Sequence, residues 1–185
     1  MRTPAHRLCV VGNSGSGKTT LARELGRRLG VEHIELDSLF HRAGWEPTPT
    51  EEFRTALGSR LAAAEARGGW VVDGNYLTQA ADLTVGVADR VVWLDPSRTV
   101  VTRQVVARTW HRVRSGEELW NGNRERWQEV LSWDPERSII RWSWTQHRRY
   151  HQLFGAMAAA EPERWLRVSS RRQREEVVRR LAGAP

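Results

Sequence analysis

The amino-acid sequence predicts an α/β fold of three layers, with helices on both faces of a five-stranded, parallel sheet. Three observations predict it. Short, continuously apolar runs such as Leu8-Cys9-Val10-Val11 and Val91-Val92-Trp93-Leu94 read as strands covered on both sides. These runs alternate with segments whose apolar residues recur at helical spacing. The first run stops at Gly12-Asn13-Ser14-Gly15-Ser16-Gly17-Lys18-Thr19, a G-x-x-x-x-G-K-[ST] pattern placed between a strand and a helix.

Each element follows from a local signal. Residues 7–11 form the first strand. From Gly17 onward Leu21, Leu25 and Leu29 recur at helical spacing, and Gly30 stops the helix. Residues 31–36 read as a second strand ending at Asp37. Pro47-Thr48-Pro49-Thr50 is a loop, and Thr50 caps a helix whose Phe53, Leu57, Leu61 and Ala64 share a face. Gly68-Gly69 ends that helix. Residues 70–73 are a third strand and 90–95 a fourth. Pro96 and Ser97 start the next helix, which runs to about residue 114. Asp134-Pro135 suits the N-cap and first position of a long helix carrying Ile139, Trp142, Gln146, Tyr150, Leu153 and Met157. Residues 165–168 are a fifth strand, and Ser170 with Gln173 reads as a capping box opening the last helix. The second-half tryptophans at helical spacing, Trp142 and Trp144 among them, are expected mostly in the core.

Composition limits the function classes. The chain has 185 residues, 39 % of them hydrophobic, a size suited to a single domain with a sizeable core. No apolar run reaches the length of a membrane span and no charged-then-apolar leader precedes the first strand, so a cytoplasmic protein is expected. Cys9, the sole cysteine, lies in the first strand as a small buried hydrophobe. The formal charge of +7 fits either a nucleic-acid surface or a site for anionic substrates. Arginine is spread along the chain, densest over 98–126 and 164–180, and no nucleic-acid-binding signature is present, so nucleic acid is not the expected partner.

Lysine and arginine total 29, yet Lys18 is the only lysine. Position 18 therefore asks for a compact ammonium where arginine serves elsewhere. A strand, a glycine-rich turn and a helix N-terminus let successive N–H groups and the helix dipole surround a polyphosphate. Residues Gly12, Asn13, Ser14, Gly15, Ser16, Gly17, Lys18, Thr19 and Thr20 are thus expected to bind ATP. Lys18 would reach the β and γ phosphates and the Thr19 hydroxyl would bind Mg²⁺.

In such a sheet ligands gather at the carboxyl ends of strands. Asp73 closes the third strand and is the second expected Mg²⁺ contact, with capping of the next turn as the alternative. Gly74, Asn75 and Tyr76 read as a substrate wall. Asp37 is the first choice to take the proton of an acceptor hydroxyl; the alternative is that it caps the following helix. Glu35 is expected on the other strand face. Arg108, Arg112 and Arg124 are candidates to neutralise the moving phosphoryl group from a lid, although any one of them can equally be a solvated surface charge. His147 and His151, four residues apart, lack an evident third ligand and read as surface or interface residues.

With these residues in place, the chain resembles the adenylate-kinase-like branch of P-loop phosphotransferases. More narrowly, it resembles the small bacterial group labelled DNA topology modulation proteins. The resemblance rests on residues 12–20, on Leu36-Asp37-Ser38-Leu39-Phe40 followed by Gly44-Trp45, on Trp70-Val71-Val72-Asp73-Gly74-Asn75-Tyr76, and on the arginine-rich helix and tryptophan-bearing segment beyond. It implies the sheet order of adenylate kinase, an acceptor-binding segment over 37–69 that includes Phe40 and Trp45, and a lid and helical segment over 115–160. The core would comprise 5–36, 70–114 and 163–185. It also implies that Ser169 and Arg171, in the loop after the fifth strand, lie against adenine. Where nucleoside monophosphate kinases place phosphate-gripping arginines early in the acceptor segment, this sequence has only Arg42 and Arg54.

The expected protein is an ATP- and Mg²⁺-dependent phosphotransferase acting on a small acceptor, a nucleotide or a hydroxylated metabolite, and forming a monomer or homodimer. The alternatives are an ATP-binding regulator of DNA or of a protein partner, and a 5′-hydroxyl polynucleotide kinase.

Overall fold

The computed structural model describes residues 6–130, 132, 134 and 138–183. Its sheet holds β1 (His6–Gly12), β2 (Glu32–Glu35), β3 (Gly69–Asp73), β4 (Arg90–Leu94) and β5 (Trp165–Val168) in the order β2-β3-β1-β4-β5. All four pairings are parallel. Alternate residues of each strand feed two separate cores, as a doubly covered sheet requires. On one face Leu8, Val10, Val71, Val92 and Leu94 pack with Leu21 and Leu25 of helix α1 (Lys18–Leu29). Val177 and Val178 of the C-terminal helix join the same cluster. On the other face Cys9, Val11, Trp70, Val72 and Trp93 meet Phe53, Leu57 and Leu61 from a helix over Thr50–Ala66 and Phe154 from a helix over Ile139–Ala160.

Between these lie α2 (Leu36–Phe40), α3 (Thr50–Ala66), α4 (Leu77–Ala80), α5 (Arg98–Ser115), α6 (Trp127–Val130), α7 (Ile139–Ala160) and α8 (Arg171–Ala182). Short 3-10 turns occur at Ala43–Trp45 and Trp120–Gly122.

Several boundaries differ from the sequence expectation, each for a local reason. The second strand stops at Glu35 because the chain turns at once into α2, so Asp37 sits inside a helix and Glu35 occupies the N-cap. Thr50 is the first residue of α3 and Pro49 its cap. Helix α7 starts at Ile139 with Ser138 at its N-cap; Asp134 lies upstream, accepting from the Ser138 amide, and Pro135 is outside the described residues. The packing face of α7 keeps Tyr150 and Met157 against the core as expected, but Phe154 is fully buried whereas Leu153 is exposed. Trp144 is exposed too, its ring covered by Arg98, and Trp142 is half-buried. The capping of α8 is as expected on one side only. Ser170 accepts from the Gln173 amide, while the Gln173 side chain accepts from Ser169 rather than Ser170.

Candidate functional site

The loop between β1 and α1 is built by steric exclusion. A Cβ on Gly12 would lie 2.4 Å from the Leu94 carbonyl oxygen, so β1 approaches β4 this closely only with glycine there. A Cβ on Gly15 would fall 2.2 Å from Val105 Cγ2 of α5. Gly17, at φ +93°, has open space beside it and caps α1 without any side-chain bond to the helix amides. The first turn of α1 therefore presents N–H groups that are free to receive an anion.

Other elements brace the loop. The Asn75 amide donates to the Gly12 carbonyl at 2.7 Å and its Oδ1 accepts from the Gly12 N–H at 3.2 Å. Asn13 is buried and donates to the Ser143 carbonyl at 2.7 Å, while the Ser143 hydroxyl donates to the Ser14 carbonyl at 2.9 Å. Helix α7 thus holds the loop from behind. Lys18 Nζ donates to the Asn13 carbonyl at 3.1 Å, folding the ammonium back over the loop. Ser14 is half-buried, Ser16 Oγ is buried with no partner among the described residues, and Thr20 is exposed.

Carboxylates converge on Lys18 from the strand ends. Burial pushes its ammonium pKa down, and Asp37, Asp73 and Glu35 oppose that shift. The β2–β3 register sets Glu35 opposite Asp73. Glu35 is not turned away, as strand alternation predicted; it accepts from the Thr19 hydroxyl at 3.3 Å. Its carboxyl is pushed above the ordinary range by burial, and a hydrogen bond from Trp120 opposes this. Asp73 is buried and pairs with His33 Nε2 at 3.1 Å. Hard oxygen donors of this kind, a hydroxyl flanked by carboxylates, fit Mg²⁺. Among the described residues no three His, Cys, Asp or Glu side chains form a metal cage, so a Mg²⁺ ion here would draw further ligands from phosphate and water.

Asp37 accepts from the Tyr76 hydroxyl at 2.6 Å, and the same hydroxyl lies 3.4 Å from His41 Nε2. Phe40 packs on Tyr76 at 4.5 Å between ring centroids. Gly74 is required here for packing, since a Cβ would fall 2.9 Å from Leu36 Cβ. The segment over 119–123 closes over this side. The Trp45 amide donates to Asn123 Oδ1 at 3.0 Å, the Asn123 amide donates to the Arg42 carbonyl at 2.8 Å, and Asn121 donates to the His41 carbonyl. Trp45 and Asn121 both carry positive φ, 63° and 57°, a conformation that costs non-glycine residues energy and that clusters at functional sites.

The three candidate arginines separate. Arg108 interacts electrostatically with Lys18 and Asp37, and burial lowers its pKa. Arg112 is committed to Glu125 at 3.2 Å and Glu117 at 3.6 Å. Arg124 is exposed on the rim, paired with Glu118. Ser169 is occupied by Gln173, and Arg171 is 92 % exposed on Glu175. His151 pairs with Asp95 and His147 meets the Pro96 carbonyl.

Sequence reasoning set Glu35 aside and passed over Trp120, His41 and Ser143. Trp120 precedes Asn121-Gly122-Asn123, a turn signal that could have placed it at a bend. The others carry no local signal.

Fold and site together define a P-loop protein of kinase-like architecture. The family described as "AAA domain" matches residues 8–133, and the chain belongs to that family. Adenylate kinase 1 of Nostoc sp. is 30 % identical over 126 residues, covering 55 % of this chain and 68 % of that protein. An adenylate kinase of Corynebacterium glutamicum is 28 % identical over 130 residues, with 55 % and 70 % covered. The solved structure of shikimate kinase from Acinetobacter baumannii in complex with shikimate superposes with a TM-score of 0.56 at 15 % identity, covering 96 % of this chain and 93 % of that one; this is a likeness of fold.

Proposed function

We propose that this chain is an ATP- and Mg²⁺-dependent phosphotransferase that moves the γ-phosphoryl group of ATP to a hydroxyl of a small acceptor. The observation that carries the reading is the convergence of Lys18, Asp37 and Arg108 beside an uncapped α1 N-terminus. Kinship with adenylate kinases supports it.

In this reading the amides of residues 13–19 and Lys18 hold the β and γ phosphates. Thr19, with Asp73 and Glu35 nearby, would hold Mg²⁺, which would supply charge neutralisation to the phosphates. The acceptor oxygen donates its lone pair to the γ-phosphorus as the bond from that phosphorus to the bridging oxygen breaks. ADP leaves with the electron pair, and Asp37 takes the hydroxyl proton. Arg108 faces the charge that spreads over the transferred group. Residues 37–69 serve as the acceptor segment and 115–160 as lid and helical segment, around a core of 5–36, 70–114 and 163–185. Ser169 and Arg171 border adenine. Kinship with the DNA topology modulation group belongs to this proposal and rests on the quoted motifs alone. No described helix is long and apolar enough to cross a membrane; a cytoplasmic location and a monomer or homodimer complete the proposal.

The test is ADP release and phosphate transfer with a panel of nucleotides and polyols, using Lys18→Ala as control. Transfer above control supports the kinase. No transfer, together with DNA binding of steep salt dependence, replaces it with the regulator. Labelling of an oligonucleotide 5′ end from γ-labelled ATP would identify a polynucleotide kinase instead.

A further inference from the structure

We propose that the acceptor carries no phosphate or carboxylate: it is a neutral or cationic hydroxylated molecule whose ring or aliphatic face lies against an aromatic wall of His41, Trp45 and Trp120. The inference rests on the kinase reading above and names the acceptor class for that same site.

The first argument is the fate of the cations. All four arginines of residues 37–69 are paired with carboxylates: Arg42 with Glu52, Arg54 with Asp82, and both Arg60 and Arg67 with Glu32. Arg54 is held through both guanidinium nitrogens, at 2.8 and 2.7 Å, and also donates to the Gln79 carbonyl. Across the cleft Arg112 is held by Glu125 and Glu117, and Arg124 by Glu118. Among the described residues Lys18 and Arg108 both act on Asp37 at the centre, and a triphosphate would engage both. An anionic acceptor would have to enter beside that triphosphate with every arginine of residues 37–69 already paired to a carboxylate, and an unpaired desolvated anion is costly.

The second argument is what the wall offers instead. Asp37 acts in the same region as Lys18, and its carboxylate favours hydroxyl donors and ammonium groups. The rings of His41 and Trp120 are stacked at 6.0 Å, Trp45 meets His41 edge-on at 5.4 Å, and Trp45 meets Trp120 edge-on at 6.3 Å. Burial favours the neutral form of His41, so this ring adds no positive charge. His41 Nδ1 is buried with no hydrogen-bond partner among the described residues, an unmet polar atom suited to a hydroxyl. Such rings attract ammonium groups and the C–H faces of sugars.

The experiment compares acceptors with the full chain and MgATP. Glucosamine, ethanolamine, glucose and adenosine form the non-anionic set; AMP, dTMP, shikimate and gluconate form the anionic set. Phosphorylated product is read by mass spectrometry, and MgATP binding is measured separately by calorimetry. The expected result is kcat/KM at least about tenfold higher for a member of the non-anionic set, with Trp120→Ala raising KM for that acceptor about tenfold at little change in kcat. Trp120→Phe, which keeps a ring, should restore most of the KM. A preference for an anionic acceptor overturns the proposal, as does protein that binds MgATP yet transfers to no non-anionic member, or a KM that a folded Trp120→Ala variant leaves unmoved. Failure to bind MgATP instead overturns the kinase reading beneath it.

Discussion

The Tyr76 hydroxyl donates to Asp37 Oδ1 at 2.6 Å, tying the turn after β3 to the short helix after β2. The bond fixes which way the carboxylate points, and it leaves the second oxygen, Oδ2, to take a proton. Burial and the neighbouring Asp37 charge both hold the Tyr76 phenol in its neutral form, so it remains a donor across the physiological range.

Replacing this donor tests the role of Asp37. Tyr76→Phe keeps the ring packed on Phe40 and Phe53 while removing the hydrogen bond. We expect kcat to fall about tenfold with MgATP affinity within about twofold of wild type, because the change touches orientation at the acceptor and not the phosphate loop. An unchanged kcat would remove Asp37 from the proton-accepting role.

Gly15 and Gly17 should respond differently to the same substitution. Gly15→Ala drives a methyl into Val105 of α5 and also strains a backbone at φ +83°, a combined cost of about 2–4 kcal/mol. Gly17→Ala meets open space and costs only about 1–2 kcal/mol of left-handed strain. Thermal unfolding should rank the two variants in that order, and equal losses would contradict the packing described here.

The pH dependence of stability follows from His41. Burial lowers its pKa from an ordinary value of 6.5, with Asp37 partly opposing. The unfolded chain therefore takes up a proton that the fold resists, and stability must fall as pH drops below about 6.5. Above that value the group contributes its full share. His41→Gln should flatten this limb of the stability curve below about pH 6.5 relative to wild type, and a superimposable curve would show that the ring is not kept neutral.

The strands and the phosphate loop were legible because their signals are local. Continuous apolar runs need no partner to be recognised, and Gly12 and Gly15 answer to close contacts with β4 and α5 that a side chain would violate. The acceptor side was less legible. Glu35 was placed on the wrong face because β2 ends there and the chain enters α2, which breaks the alternation used to orient it. Trp120 meets His41 across nearly eighty positions of sequence, held by Asn121 and Asn123 bonds to the main chain of residues 38–42. No periodicity announces such a contact. In α7 the apolar spacing placed Tyr150 and Met157 against the core, yet the adjacent apolar pair Leu153-Phe154 left that one position open, and Phe154 took the place expected for Leu153.

Calorimetric titration of MgATP into the wild-type chain and a Lys18→Ala variant tests the central claim most directly. The account predicts saturable binding to the wild type and affinity weakened about a hundredfold or more in the variant, since Lys18 is the sole ammonium side chain over the loop. Equal affinity in the two proteins, or no binding to folded wild type, would contradict it.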